Sequence, residues 1–68
     1  MKKFTLNLIT KIEDLCETIE MGFLTKGEAM NEIRDFQGII LDKFEEGSNE
    51  YMQCMAPLCD AHNIATEI

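Results

Sequence analysis

Apolar residues recur at helical spacing through the first third of the chain. One set has a 4-3-4 spacing that places its members on a single helix face: Leu8, Ile12, Leu15 and Ile19. Acidic side chains run beside this stripe, as expected at the exposed edge of an amphipathic helix. Gly22 is a typical C-terminal stop for such a helix. The pattern therefore predicts a helix over roughly residues 5–22.

The beginning of this segment allows a second interpretation. The sequence FTLNL, residues 4–8, alternates apolar and polar side chains, which is the period of a β-strand. Nothing else in the chain has the pattern of a strand that would pair with it. We therefore begin the first helix at about Thr5. The alternative is an extended arm over residues 3–9 that pairs with its copy in a dimer.

A second helix is predicted over residues 25–46. Thr25 and Glu28 have the spacing of a capping box, in which each side chain binds a backbone N–H of the other residue. The helix should end near Glu46, with Gly47 as its C-terminal glycine. Its apolar residues share one broad face: Ala29, Met30, Ile33, Phe36, Ile40, Leu41 and Phe44.

The third segment, residues 49–67, contains Pro57. Proline removes a helical N–H donor and clashes with the preceding turn, so we expect the helix to break or kink there. This gives two short helices, NEYMQCM and PLCDAHNIA. The sequence thus predicts an all-α fold in one domain, residues 1–68. A helical hairpin and a third, Pro-broken helix form a small three- to four-helix bundle.

The chain has 68 residues, which limits the stability that its core can supply. Small domains often gain stability from a second subunit, so we expect an oligomer, with dimerisation completing the bundle. Three cysteines are an odd number, which argues against a closed set of disulfides and favours a reduced, cytoplasmic protein. No apolar run is long enough to span a membrane.

The charge is unevenly distributed along the chain. The net charge is −7, and residues 1–26 contribute none of it, because four acids there balance four lysines. Residues 27–68 carry nine acids against Arg34 and Lys43. Phosphate contacts require cations, so direct binding to nucleic acid or to anionic membranes is disfavoured. A basic protein surface is the partner that this charge favours.

The sequence CMAPLCDAHN contains three residues that bind metals in other proteins: Cys54, Cys59 and His62. Their C-x4-C-x2-H spacing differs from the paired spacing of zinc motifs. On one continuous helix Cys54 and Cys59 would lie about 140° apart, so only a break at Pro57 would let them share an ion. We therefore expect no metal and no cofactor, with these three residues as the candidates if one binds.

The same stretch offers a weak candidate for catalysis. Cys59 and His62 are three residues apart and would be neighbours on a helix. A catalytic thiolate also needs a lowered pKa and an oriented base, and acidic surroundings raise a thiol pKa. The chain has no other histidine. We therefore predict that it is not an enzyme.

A cluster of acids surrounds the predicted end of the second helix: Asp42, Glu45, Glu46 and Glu50. The helix dipole favours cations at this end, so the acids oppose it there. A local rule broken in this way can serve a function elsewhere, here the docking of a basic partner. Ile39 points away from the main apolar stripe and joins these acids as a candidate binding residue.

Three functional hypotheses follow, in order of preference. The first is a small acidic protein-binding module, regulatory or inhibitory, that docks on a basic protein surface and can mimic nucleic-acid charge. The second is a self-assembling helical structural subunit. The third is a zinc-stabilised helical module.

Overall fold

Three α-helices make up the fold. The structure, a computed structural model, describes residues 2–68. The helices are α1 (Lys3–Glu20), α2 (Lys26–Lys43) and α3 (Asn49–Thr66), and no strand forms within residues 2–68. The all-α prediction is confirmed. The FTLNL segment lies inside α1, so residues 3–9 are helical and do not form an extended arm. None of the three helices is both long enough and apolar enough to cross a membrane.

The end of α1 is closed at the predicted glycine. Gly22 has a φ of +80°, which only glycine adopts without strain. Its N–H donates to the carbonyl of Ile19 at 3.0 Å, and the N–H of Phe23 donates to the carbonyl of Thr18 at 3.2 Å. This pair of bonds is a Schellman motif, and it satisfies carbonyls that the helix end would otherwise leave free.

The start of α2 has the predicted capping box. Thr25 N–H donates to Glu28 Oε1 at 3.0 Å, and Glu28 N–H donates to Thr25 Oγ1 at 3.2 Å. The bond from the Thr25 backbone stabilises the ionised carboxylate and so lowers the pKa of Glu28. Both residues therefore fix the point at which the helix begins.

The end of α2 comes three residues before the predicted Glu46, at Lys43. Phe44 leaves the helix in an extended conformation, and its ring packs against that of Phe4 with 6.0 Å between ring centroids. The ring is half-buried against the core, which favours this early exit. Gly47, with a φ of +85°, lies in the α2–α3 loop and is not the C-terminal glycine of α2.

Helix α3 runs without a break through Pro57, so the predicted division into two short helices is wrong. Proline deprives the carbonyl of the residue four positions earlier of its helical partner. Here that residue is Gln53, which is exposed, so water can bind its carbonyl oxygen. The helix continues because Cys54 before the proline and Leu58 after it both pack into the same core.

The buried face of α1 is the one that the spacing predicts. It consists of Leu8, Ile12, Leu15 and Ile19, with Thr5 one turn earlier in the same stripe. Thr5 is fully buried although it is polar. Sequence reasoning placed Thr5 only at the start of the helix and missed its burial.

The buried face of α2 is narrower than predicted. Its fully or partly buried members are Ala29, Met30, Ile33, Phe36 and Ile40, and Phe44 packs beside them just after the helix ends. Leu41 was expected among them but is 51% exposed. It lies 100° around the helix from Ile40, which is completely buried and occupies the core position instead.

Helix α3 holds the other two helices together. It packs along both α1 and α2, which touch each other only slightly. Its buried face consists of Cys54, Leu58, Ala61 and Ala65. Three of these four side chains are small, so the backbone of α3 can approach its neighbours closely. The α1–α2 pair is therefore open on the side that α3 does not cover.

Replacing Ile40 with Ala should lower the free energy of unfolding by about 2–5 kcal/mol, because it leaves a cavity in the core. Leu41→Ala is the matched control, since Leu41 is adjacent and 51% exposed. It should change the free energy by less than about 1 kcal/mol. Urea denaturation followed by circular dichroism measures both. Equal losses would contradict the core described above.

Candidate functional site

Three of the predicted partner-binding residues form a surface patch where α2 ends, here called the loop patch: Asp42, Glu45 and Glu46. Asp42 lies in the last turn of α2, with its side chain 77% exposed. Glu45 and Glu46 follow in the loop and are exposed. Lys43 Nζ lies 3.9 Å from Asp42 Oδ2, a surface pair worth little in free energy. The loop patch thus presents three carboxylates beside one cation.

Glu50, the fourth acid of the predicted cluster, has an internal role. It lies in the first turn of α3, where the helix dipole stabilises a carboxylate, so the expectation that it opposes a dipole is wrong. It is half-buried, and its Oε2 accepts a hydrogen bond from Thr5 Oγ1 at 2.6 Å. This bond joins the start of α3 to the start of α1. A partner would have to compete with Thr5 for that oxygen.

Ile39 lies one turn before Asp42 of the loop patch on α2. It is 39% exposed and lines an open groove between α1 and α2 together with Phe4, Leu8 and Phe36. Its apolar neighbours explain why an isoleucine is placed there. Ile39 therefore adjoins Asp42 along α2 and also belongs to this apolar groove.

A second acidic surface lies between α1 and α3, and we call it the acidic groove. It is lined by Glu13, Cys16 and Glu20 of α1 and by Pro57, Asp60, Asn63 and Ile64 of α3. No lysine or arginine is among these residues. The three carboxylates come from two helices, so the continuous course of α3 creates the site.

Sequence reasoning missed this groove in part. The 3-4 spacing of Glu13, Cys16 and Glu20 places them along one edge of a helix, and that signal was visible. Asp60 could not be added to them without knowing that α3 continues through Pro57 and lies beside α1. The position of α3 is therefore the missing information.

The thiol of Cys16 lies within the acidic groove. Burial raises its pKa, and the negative charges of Asp60, Glu20 and Glu13 raise it further. Its Sγ donates a weak hydrogen bond to the carbonyl of Pro57 at 3.6 Å. A raised pKa keeps the thiol protonated at neutral pH, so it is a poor nucleophile there.

The three metal candidates do not converge. Cys54 is completely buried, whereas Cys59 and His62 are exposed. Cys59 and His62 line a shallow groove between α2 and α3 with Met55 and Leu58. Within residues 2–68, no group of three or more His, Cys, Asp or Glu side chains lies close enough to hold a metal ion. Continuity of α3 is the reason, because it places Cys54 and Cys59 about 140° apart.

No family model, curated protein or solved structure matches the chain. The role of the surface is therefore inferred from its chemistry. The acidic groove offers three carboxylates and a protonated thiol, a set suited to attracting cations. A concave surface built on two helices can hold cationic groups in a fixed arrangement.

Replacing Thr5 with Val should lower the free energy of unfolding by about 1–3 kcal/mol, because Glu50 loses its hydrogen-bond donor. Thr10→Val is the control: Thr10 is exposed and its hydroxyl donates only to Leu6 O in its own helix. Thermal unfolding measures both changes. A similar small effect for the two variants would show that the bond to Glu50 contributes nothing.

Thiol reagents should modify Cys59 first, because it is exposed. Burial, followed by the charge of Glu50, raises the pKa of Cys54. The pKa of Cys16 is also raised, as described above. Since the thiolate is the reactive form, a raised pKa slows both at neutral pH. Mass spectrometry after timed alkylation gives the order. In denaturant all three should react at similar rates, and similar rates in the folded protein would refute the assignment.

Proposed function

We propose that the chain is a small regulatory or inhibitory protein that docks on a basic surface of another protein. The acidic groove is the observation that carries this proposal. Glu13, Glu20 and Asp60 line one concave surface that no lysine or arginine lines. Concentrated charge of one sign attracts a partner of the opposite sign and fixes its orientation.

The lack of internal neutralisation supports the same partner. The chain has thirteen acids and six basic residues. Within residues 2–68, the one ion pair closer than 4 Å joins Lys43 and Asp42. Most of the carboxylates therefore have no cationic partner within the described residues. Such an excess lowers the stability of an isolated domain through self-repulsion, and a cationic partner would relieve that cost.

Sites that bind nucleic acid are the partner surfaces that fit this proposal best. Their lysines and arginines are positioned to neutralise phosphates, and carboxylates at similar spacing would engage the same side chains. The chain would then act as an inhibitor by occupying the site. It is not proposed to bind nucleic acid itself, because its own net charge of −7 repels phosphates.

The acidic groove and the loop patch have different parts in this proposal. The groove is concave and built on two helices, so it would form the lasting contact. Asp42, Glu45 and Glu46 are exposed at one end of the bundle and would mainly accelerate encounter. Glu50 would contribute through the fold, because Thr5 already binds its Oε2.

The proposal also places the chain in the cytoplasm and as a homo-oligomer. Its three cysteines are free, and Cys59 is exposed, which suits a reducing compartment. Several large apolar side chains are exposed, including Phe4, Leu6 and Met52. The second candidate function, a self-assembling structural subunit, is favoured by these side chains alone and needs no basic partner.

Two triple variants with the same change in charge test the proposal. The groove variant is Glu13→Gln/Glu20→Gln/Asp60→Asn, and the loop variant is Asp42→Asn/Glu45→Gln/Glu46→Gln. Each variant and the wild-type protein are immobilised on separate affinity supports. The proteins that each support captures from native lysate are then identified by mass spectrometry. We expect the wild type to capture basic proteins, the loop variant to capture fewer, and the groove variant to lose them.

Binding kinetics with the purified captured protein separate the two surfaces. The groove variant should dissociate faster, and the loop variant should mainly associate more slowly. Wild-type association should slow by about tenfold or more as salt rises from 0.01 to 0.1 M, because the Debye length falls from about 30 to about 10 Å. Removing the groove carboxylates should also lower the pKa of Cys16, while burial should still hold that pKa above the ordinary thiol value if the groove is folded. Association and dissociation rates that change neither with salt nor in either variant would refute the proposal.

A further inference from the structure

An open apolar groove lies between α1 and α2, on the side that α3 does not cover. Two adjoining cavities that share Lys11 and Phe36 make up this groove. Its apolar lining consists of Phe4, Leu8, Leu15, Leu24, Phe36 and Ile39. Because α1 and α2 touch only slightly, this surface is wider than the contact between two closely packed helices.

Four of the six apolar lining residues are exposed or half-buried in the single chain, whereas Leu8 and Leu15 are buried in the core. Phe4 is 47% exposed and Ile39 is 39% exposed, and Leu24 and Phe36 are half-buried. Covering these side chains would remove apolar surface from contact with water, which favours association. The groove extends along α1 from Phe4 to Thr18, which is about 21 Å at 1.5 Å per residue. A long, straight, apolar partner surface is needed to fill it.

The charges at the groove margin distinguish between possible occupants. They are mixed: Lys11 lies near the middle, with Asp14 and Glu32 beyond it. A basic helix would meet Lys11, and an acidic helix would meet Asp14 and Glu32. A second copy of the chain carries both signs in the same arrangement. The margin therefore matches itself better than it matches a partner of one sign.

We propose that this groove is the interface of a homodimer in which the α1–α2 face of one copy covers that of the other. A two-fold axis parallel to the helices places each α1 over the partner's α2. Positions along the helix axis are kept by this rotation. Lys11 of one copy then lies near the partner's Glu32, since both residues line the same groove, and the contact occurs twice.

The helix directions agree with this arrangement. Phe4, at the start of α1, packs on Phe44, just after α2, so the two helices are antiparallel. The two-fold axis makes every α1 antiparallel to the α2 that it covers. The four helices then form two packed layers in which neighbouring helices are antiparallel, as in up-down four-helix bundles. Each α3 lies on the outer side of its own pair.

The available area is sufficient for a stable dimer. The chain exposes 4581 Å². A standard interface buries about 800 Å² per partner, which one face of a three-helix bundle can supply. The acidic groove lies between α1 and α3 and stays uncovered in this dimer. This inference depends on the oligomer in the proposed function but not on the basic partner.

Ile39→Glu and Leu41→Glu form the first test. Both add one charge to α2 at an exposed isoleucine or leucine, but only Ile39 lines the groove. Sedimentation equilibrium of the full chain should show a wild-type dimer whose dissociation constant rises at least about tenfold in Ile39→Glu. Leu41→Glu should stay dimeric. A monomeric wild type, or equal effects of the two changes, would overturn the proposal.

Charge reversal tests the pairing between copies. Lys11→Glu and Glu32→Lys each put like charges together at both contacts, so each variant alone should dimerise at least about tenfold more weakly. Mixing the two variants pairs opposite charges at both contacts, and native mass spectrometry should show a heterodimer. A contact within one chain cannot produce this rescue by mixing. Absence of the heterodimer, with both variants folded by circular dichroism, would refute the Lys11–Glu32 pairing.

The outcomes also separate this inference from the proposed function. A dimer that is insensitive to Ile39→Glu places the interface elsewhere and overturns only the inference. If the wild type is monomeric and Ile39→Glu abolishes binding of a captured protein, the groove belongs to that partner instead. If the Glu13→Gln/Glu20→Gln/Asp60→Asn variant loses partner binding but still dimerises, the dimer interface is supported. The acidic groove and the apolar groove are then separate binding surfaces.

Discussion

The unbroken packing of α3 along both α1 and α2 is the constraint on which the rest of this structure depends. The hairpin of α1 and α2 has little contact of its own. Cys54, Ala61 and Ala65 let α3 come close, and Leu58 fills the remaining space. A partly buried hydrogen bond from Thr5 to Glu50 links α1 and α3 at one end, so packing and hydrogen bonding fix the same position for α3.

Both functional surfaces follow from that position. The acidic groove exists because α3 brings Asp60 beside the carboxylates of α1. The apolar groove exists because α1 and α2 make little direct contact and α3 covers them on one side only. One helix therefore creates a charged surface on one side of α1 and leaves an apolar surface on the other. The molecule has two faces of different chemistry although it is only three helices in size.

Local sequence signals predicted the elements better than the surfaces. The spacing of the α1 core, the capping box at Thr25 and the stop at Gly22 each depend on neighbours within one turn, and all three are confirmed. Pro57 misled because its helical cost is local, whereas the packing that outweighs it comes from other helices. The acidic groove and the partner of Glu50 depend on residues distant in sequence, which periodicity alone does not bring together.

The slight contact between α1 and α2 also has a consequence for synthesis of the chain. A ribosome completes α1 and α2 before α3, and these two helices cannot bury their apolar faces on each other. Most of the stability of a helix in a protein comes from packing of its apolar face against other elements. The nascent chain should therefore remain largely unfolded until α3 is made, and the fold should form in one cooperative step after that. Until then, its apolar stripes would be open to chaperones and proteases.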